Sequence, residues 1–151
     1  MQKRADIVAV ASSGGHWEQL LLLSSAFAGM NVLFVTTKQE LLDQAGLANG
    51  KVVSDCNRDR PWETAKCLLQ CARVIFSVRP KMVVSTGAAP GLLCLVMGKL
   101  IGAKTIWIDS FANVEKLSLS GKLAGYFVNT QLTQWQHLAG PGGPRYEGEL
   151  L

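Results

Sequence analysis

Several familiar signatures are missing from this 151-residue chain, and each absence removes a class of function. There is no GxGxxG turn, and Thr36-Thr37-Lys38 stands where a dinucleotide fold would end its second strand in an acidic residue. No GxxxxGK[ST] loop occurs, so ATP and nicotinamide chemistry have weak support. The four cysteines, Cys56, Cys67, Cys71 and Cys94, form no CxxC pair and follow no secretory signal. They are expected to be buried free thiols in a reducing cytoplasmic compartment, with no metal site. Apolar runs fall short of the roughly 20 residues that span a bilayer. No aromatic and basic RNA signature appears, which argues against a nucleic-acid partner.

Charge is sparse as well. Only 17% of residues are charged while 48% are apolar, a balance that supports a packed core. The net charge of +4 suits an anionic partner without choosing one.

What is present is an alternation of strands and helices. Ile7 to Ala11 reads as a first strand, followed by Ser12-Ser13-Gly14-Gly15-His16 and a helix from Trp17 to about Ala28. Further strands are expected at Asn31–Thr36, Lys51–Ser54, Met82–Ser85, Thr105–Ile108 and Tyr126–Asn129. Helices are expected at Lys38–Leu47, Pro61–Val78, Leu92–Ile101 and Gln131–Leu138. Pro61 suits the first turn of its helix. Near-continuous apolar strands between helices predict an α/β fold with a doubly wound, Rossmann-like parallel sheet. Residues 1–139 are expected to form that domain, with 140–151 as a tail that frays or meets a partner.

Ligands of such sheets bind at the carboxyl edge, at the point where strand order reverses. Two turns of small residues belong there, Ser12 to His16 after strand one and Ser85-Thr86-Gly87-Ala88-Ala89-Pro90-Gly91 after strand four. Each feeds a helix N-terminus with unpaired N–H groups and about half a positive charge. The pair predicts an anion site, although glycine also serves tight turns alone. His16 lies where its turn becomes helix. It is either a structural histidine or a general base, since imidazole titrates near neutral pH.

On the helix from Pro61, Cys67, Leu68, Cys71, Ile75 and Val78 recur at core spacing. Trp62, Lys66, Leu69, Arg73 and Phe76 form a second stripe, with Arg58, Arg60, Arg79 and Lys81 near the ends. This pattern fits an anionic membrane surface or an ordinary solvated face.

The two glycine turns, with Asp109-Ser-Phe-Ala-Asn-Val-Glu115 and Leu117-Ser-Leu-Ser-Gly-Lys122, make a distinctive series. In this order they resemble the Alg-fourteen-like family, which includes PssD-type polysaccharide biosynthesis subunits. The same two loops look like those in the N-terminal half of the lipid II synthase, a GT-B enzyme. The resemblance implies the acceptor-side half of a split, inverting glycosyltransferase on the cytoplasmic face of a membrane, in an anchorless form. A PssE-type partner would bind the nucleotide sugar, UDP-linked by expectation, and this chain would hold a lipid-diphosphate-linked saccharide, with no cofactor. His16, or Asp109 where relatives carry glutamate, would act as base. Ser12, Ser13, Gly14, Gly15, Ser85, Thr86, Gly87 and Ala88 would grip the diphosphate. Asn113, Glu115, Ser118 and Lys122 would line the acceptor cleft. A self-contained nucleotide-sugar enzyme and a non-catalytic membrane scaffold are the alternatives.

Overall fold

The computed structural model describes residues 4–56 and 59–151. Arg58, one of the cations expected beside the long helix, lies outside them.

The elements follow the expected alternation. Strands are β1 (Ile7–Ala11), β2 (Val32–Thr36), β3 (Gly50–Val52), β4 (Met82–Gly87), β5 (Lys104–Ile108), β6 (Thr130–Thr133) and β7 (Arg145–Tyr146). Helices are α1 (Gly15–Leu22), α2 (Gln39–Gln44), α3 (Pro61–Val78), α4 (Ala88–Leu100) and α5 (Leu119–Ala124). Short 3-10 turns occupy Leu23–Phe27 and Gln136–Leu138.

All seven strands run parallel in one sheet, in the order β3-β2-β1-β4-β5-β6-β7. The direction of travel reverses between β1 and β4, which places their carboxyl ends on either side of the switch point. Against one face of the sheet, Val8, Val10, Val35, Val83 and Trp107 pack under α3, α4 and α5. The opposite face buries Ala9, Ala11 and Phe34 under Trp17 and Leu20 of α1 and Leu42 of α2. Three of the four cysteines are buried and all four are free thiols.

Two expected elements are corrected. Tyr126–Asn129 is not a strand, because Phe127 and Val128 N–H groups turn back to the Ala124 carbonyl. Gln131–Leu138 is not a helix, because Thr130, Gln131 and Leu132 pair with Ile106, Trp107 and Ile108 of β5. A buried sheet edge with unpaired backbone groups outweighs the helical spacing of that segment. The tail also folds back on its own domain. Arg145 and Tyr146 extend the sheet beside β6, and Leu150 packs near Val84 and Ile108.

Candidate functional site

Both small-residue turns run directly into helices, earlier than their sequences suggest. Gly14, at φ 80°, precedes α1, so Gly15 and His16 occupy the first helical turn. At the second turn Gly87 (φ 149°) and Ala88 (φ 68°) make the corner into α4. A left-handed alanine is uncommon and costs on the order of 1 kcal/mol, a strain that collects at functional corners.

The turns touch. Thr86 Oγ1 donates to the His16 carbonyl at 2.6 Å, and His16 Nδ1 lies 3.2 Å from the Thr86 carbonyl. A carbonyl oxygen only accepts, so the Thr86 contact requires the proton on Nδ1. In the neutral ring Nε2 is then left with its lone pair. The imidazole rests against Gly87, where a side chain of any kind would overlap the ring. Glycine is therefore needed at 87 for the histidine to sit there.

Not every expected anion contact is free. Ser85 is fully buried, and its hydroxyl accepts the Gly87 N–H at 3.2 Å. The Thr86 hydroxyl is committed to His16, so Ser85, Thr86 and the Gly87 amide shape the corner and do not face a ligand. Ser12 is buried, while Ser13 is partly exposed and Gly14 and Gly15 are exposed. The first-turn amides of Gly15 and His16 in α1, and of Ala88 and Ala89 in α4, have no acceptor within their helices. These four groups carry the positive ends of two helices at one place on the sheet edge.

Asp109 has a different part from the one the resemblance implies. It is 1% exposed, at the end of β5. Its Oδ1 accepts from Trp107 Nε1 at 3.0 Å and Ser118 Oγ at 2.7 Å. Its Oδ2 accepts from Asn113 Nδ2 at 3.0 Å and from Ser118 N–H at 3.2 Å. Four donors saturate the carboxylate, so it ties the 109–118 loop to the strand and has no lone pair to offer a substrate proton. Ser118 also accepts the Gly121 N–H at 2.9 Å and so caps α5. Asn113 and Ser118 are thus brought together with Asp109 as internal partners. Glu115 and Lys122 are exposed and are not drawn into this cluster.

Sequence reasoning missed the amides that hold this loop down. Gln19 of α1 donates to Ser110 Oγ at 3.1 Å and accepts the Phe111 N–H at 3.1 Å. Gln134 donates to both Gln19 Oε1 (2.6 Å) and the Asp109 carbonyl (3.1 Å), and its Oε1 accepts the Leu150 N–H at 3.0 Å. Trp135 Nε1 donates to the Phe111 carbonyl at 2.7 Å while its ring stacks on Phe111. The available signal was a glutamine set among the apolar residues of α1, between Trp17 and Leu20.

On α3, Cys67, Cys71 and Ile75 are buried, and Trp62, Lys66, Leu69, Arg73 and Phe76 all face outward. Arg60 is paired with Glu63 at 3.0 Å, and Lys81 with Asp6 at 3.2 Å. Among the described residues no helix is long and apolar enough to cross a membrane, and no cluster of His, Cys, Asp or Glu could hold a metal ion.

A parallel sheet of this order, with helices on both faces and two helix N-termini at the switch point, defines a Rossmann-like α/β domain. The model of the family described as "Oligosaccharide biosynthesis protein Alg14 like" matches residues 36–147, and the chain belongs to that glycosyltransferase-related family. One relative is the UDP-N-acetylglucosamine transferase subunit alg14 of Schizosaccharomyces pombe. It is 45% identical over 49 residues, which cover 32% of this chain and 22% of the relative. Among solved structures, MurG of Acinetobacter baumannii superposes with a TM-score of 0.77 at 12% identity, over 93% of this chain and 44% of MurG. The UDP-GlcNAc 2-epimerase of Methanocaldococcus jannaschii gives 0.63 at 12% identity, over 84% and 38%. At these identities the likeness is one of fold. The chain spans less than half the length of either solved structure.

Proposed function

We propose that this chain is the acceptor-binding subunit of a two-polypeptide, inverting glycosyltransferase. The carrying observation is the His16–Thr86 contact, which sets a histidine with a free Nε2 between the N-termini of α1 and α4. Family membership supports the reaction class.

The acceptor is a saccharide on a lipid diphosphate. Its diphosphate rests against the amides of Gly15, His16, Ala88 and Ala89, with Ser13 at the rim. His16 Nε2 takes the proton of the attacking sugar hydroxyl as oxygen bonds to the anomeric carbon. The bond from that carbon to the nucleoside diphosphate breaks with inversion, and the diphosphate leaves with the electron pair. A positioned base contributes about 10²- to 10⁴-fold. Glu115, exposed on the loop after β5, meets the acceptor sugar or the partner in this reading. The donor is a UDP-sugar, a choice supported by the fission yeast relative, a UDP-N-acetylglucosamine transferase subunit. A separate, PssE-type subunit binds it. The outward stripe of α3, with Trp62 86% exposed, lies on the cytoplasmic side of an anionic membrane.

The test combines the purified chain, its donor-binding partner, a UDP-sugar and a lipid-diphosphate acceptor. Transfer is expected from the pair and from neither component alone. Micromolar binding of a UDP-sugar by the isolated chain would instead support a self-contained nucleotide-sugar enzyme and end this reading.

A further inference from the structure

The sheet ends at β3 with its outer edge open. In a parallel ladder the bonds to one neighbour come from alternate residues. The Asn49 carbonyl accepts from the Phe34 N–H at 3.1 Å, and the Val53 N–H donates to the Thr36 carbonyl at 2.9 Å. Residues 49, 51 and 53 therefore bond to β2, and the N–H and C=O groups of Gly50 and Val52 point away from the sheet. Val52 is 41% exposed, and Lys51 is exposed beside it. Just past the strand, the Ser54 N–H is taken by Gln70 Oε1 at 2.6 Å, which closes the edge at that end. An open edge is a template for another strand, and charge is one of the devices that guard it. Within β3 the only charge is Lys51, which repels a basic strand and attracts an acidic one.

A groove runs along the same edge. Its floor is Leu33, Val53, Val74 and Val78, with Lys51 and Arg73 among its walls, and it holds a cavity of about 260 Å³. A wider cavity of about 720 Å³ continues it, sharing Leu33, Lys51 and Val78 and adding Arg4. The two cavities are thus lined by three cations and by no Asp or Glu. Among the described residues none of those three cations has an ion-pair partner, whereas Arg60, Lys81 and Arg145 each sit against a carboxylate.

We propose that this edge and groove dock an extended, acidic segment of another polypeptide, which joins the sheet as a further strand beside β3. Its backbone bonds the outward groups of Gly50 and Val52. Its apolar side chains lie over the groove floor, and its carboxylates meet Lys51, Arg73 and Arg4. A second copy of this chain fits poorly, because pairing the edges about a two-fold axis sets Lys51 and Arg73 close to their own counterparts. The C-terminal segment of the chain is engaged at the far end of the sheet, where Arg145 and Tyr146 pair with β6. Strands β2 and β1 separate this edge from the switch point, so the docking does not depend on the proposed function.

The experiment titrates the purified full chain with a capped peptide of alternating valine pairs and glutamate pairs. Each face of that peptide, when extended, carries both residue types. Its counterpart has lysine in place of glutamate. The glutamate peptide is expected to bind at low salt with a Kd of about 10⁻⁴ M, to weaken as salt is added, and to slow hydrogen exchange at the Gly50 and Val52 amides. The lysine peptide should bind at least about tenfold more weakly, and Lys51→Glu should reverse that preference. Val52→Pro removes an outward N–H without touching a bond to β2, and should weaken the glutamate peptide at least about tenfold. Thermal melting checks folding, and the exposed substitution Lys51→Glu decides the matter if Val52→Pro does not fold. Equal binding of the two peptides, or folded variants that bind the glutamate peptide like the wild type, would overturn the proposal. Self-association of the free chain that Val52→Pro abolishes would assign the edge to a second copy and overturn it as well.

Discussion

Seventy positions apart in sequence, His16 and Thr86 bond each other twice, ring nitrogen to carbonyl and hydroxyl to carbonyl. The arrangement fixes which imidazole nitrogen carries the proton and holds two loops together. Those two consequences can be separated by mutation.

Asparagine at position 16 places an N–H near Nδ1 and nothing near Nε2. His16→Asn is expected to keep the Thr86 latch and lose the base. Turnover by the assembled enzyme should fall by about 10²- to 10⁴-fold, with melting temperature and partner binding close to wild type. Steady-state rates and co-purification check this. An active His16→Asn complex would remove the base assignment.

Asp109 predicts a stability effect. Asp109→Ala leaves Trp107 Nε1, the Asn113 amide and the Ser118 donors without their acceptor in a buried site. Losing hydrogen bonds to a charged group costs about 1.5–3 kcal/mol, and stranded buried donors add to that. Urea unfolding is expected to show a loss of about 3 kcal/mol or more. Gly121→Ala, which pushes a methyl into the same carboxylate, should lower stability as well. A near-neutral Asp109→Ala would mean the loop is held by other contacts.

The thiols predict a pH dependence. Cys67 and Cys71 are buried with their sulfurs 3.8 Å apart. The bond to Cys71 and then burial push the Cys67 thiol up. For Cys71 the bond with Cys67 lowers it, but the contact with Cys94 and burial win and raise it. A thiol raised in the folded state contributes no pH dependence while both states are protonated. Above the unfolded value, near 8.5, only the unfolded chain ionises, so stability falls as pH rises toward the folded values. Each such thiol adds a slope of up to about 1.4 kcal/mol per pH unit. Urea titrations from pH 8 to 10 should show the decline, and Cys67→Ala with Cys71→Ala should flatten it. The same protonation keeps native thiols slow toward iodoacetamide at pH 8.

Legibility of the fold declined along the chain for a physical reason. The bounds of β1 and α3 follow from local rules, a compact apolar run in one case and Pro61 with core-spaced residues in the other. Thr130 to Leu132 carries helical spacing yet forms a strand, because its structure is set by pairing with Ile106 to Ile108, more than twenty residues upstream. No local spacing reports that pairing. At the site, the glycines and His16 were visible as types in a turn. The inward commitment of Ser85, Thr86 and Asp109 was not, because a hydroxyl or carboxylate looks equally available in a sequence whether or not donors surround it.

The sequence by itself determined the alternating elements, the parallel sheet and the two small-residue turns, since these depend on apolar periodicity and on the backbone freedom of glycine. Tertiary structure alone decided which polar groups face outward. It turned Asp109 into the knot of a loop, tied His16 Nδ1 to the Thr86 carbonyl, and set leucines on the outside of α5. Those outcomes depend on which atoms meet across the fold, and such meetings are fixed only when distant segments pack together.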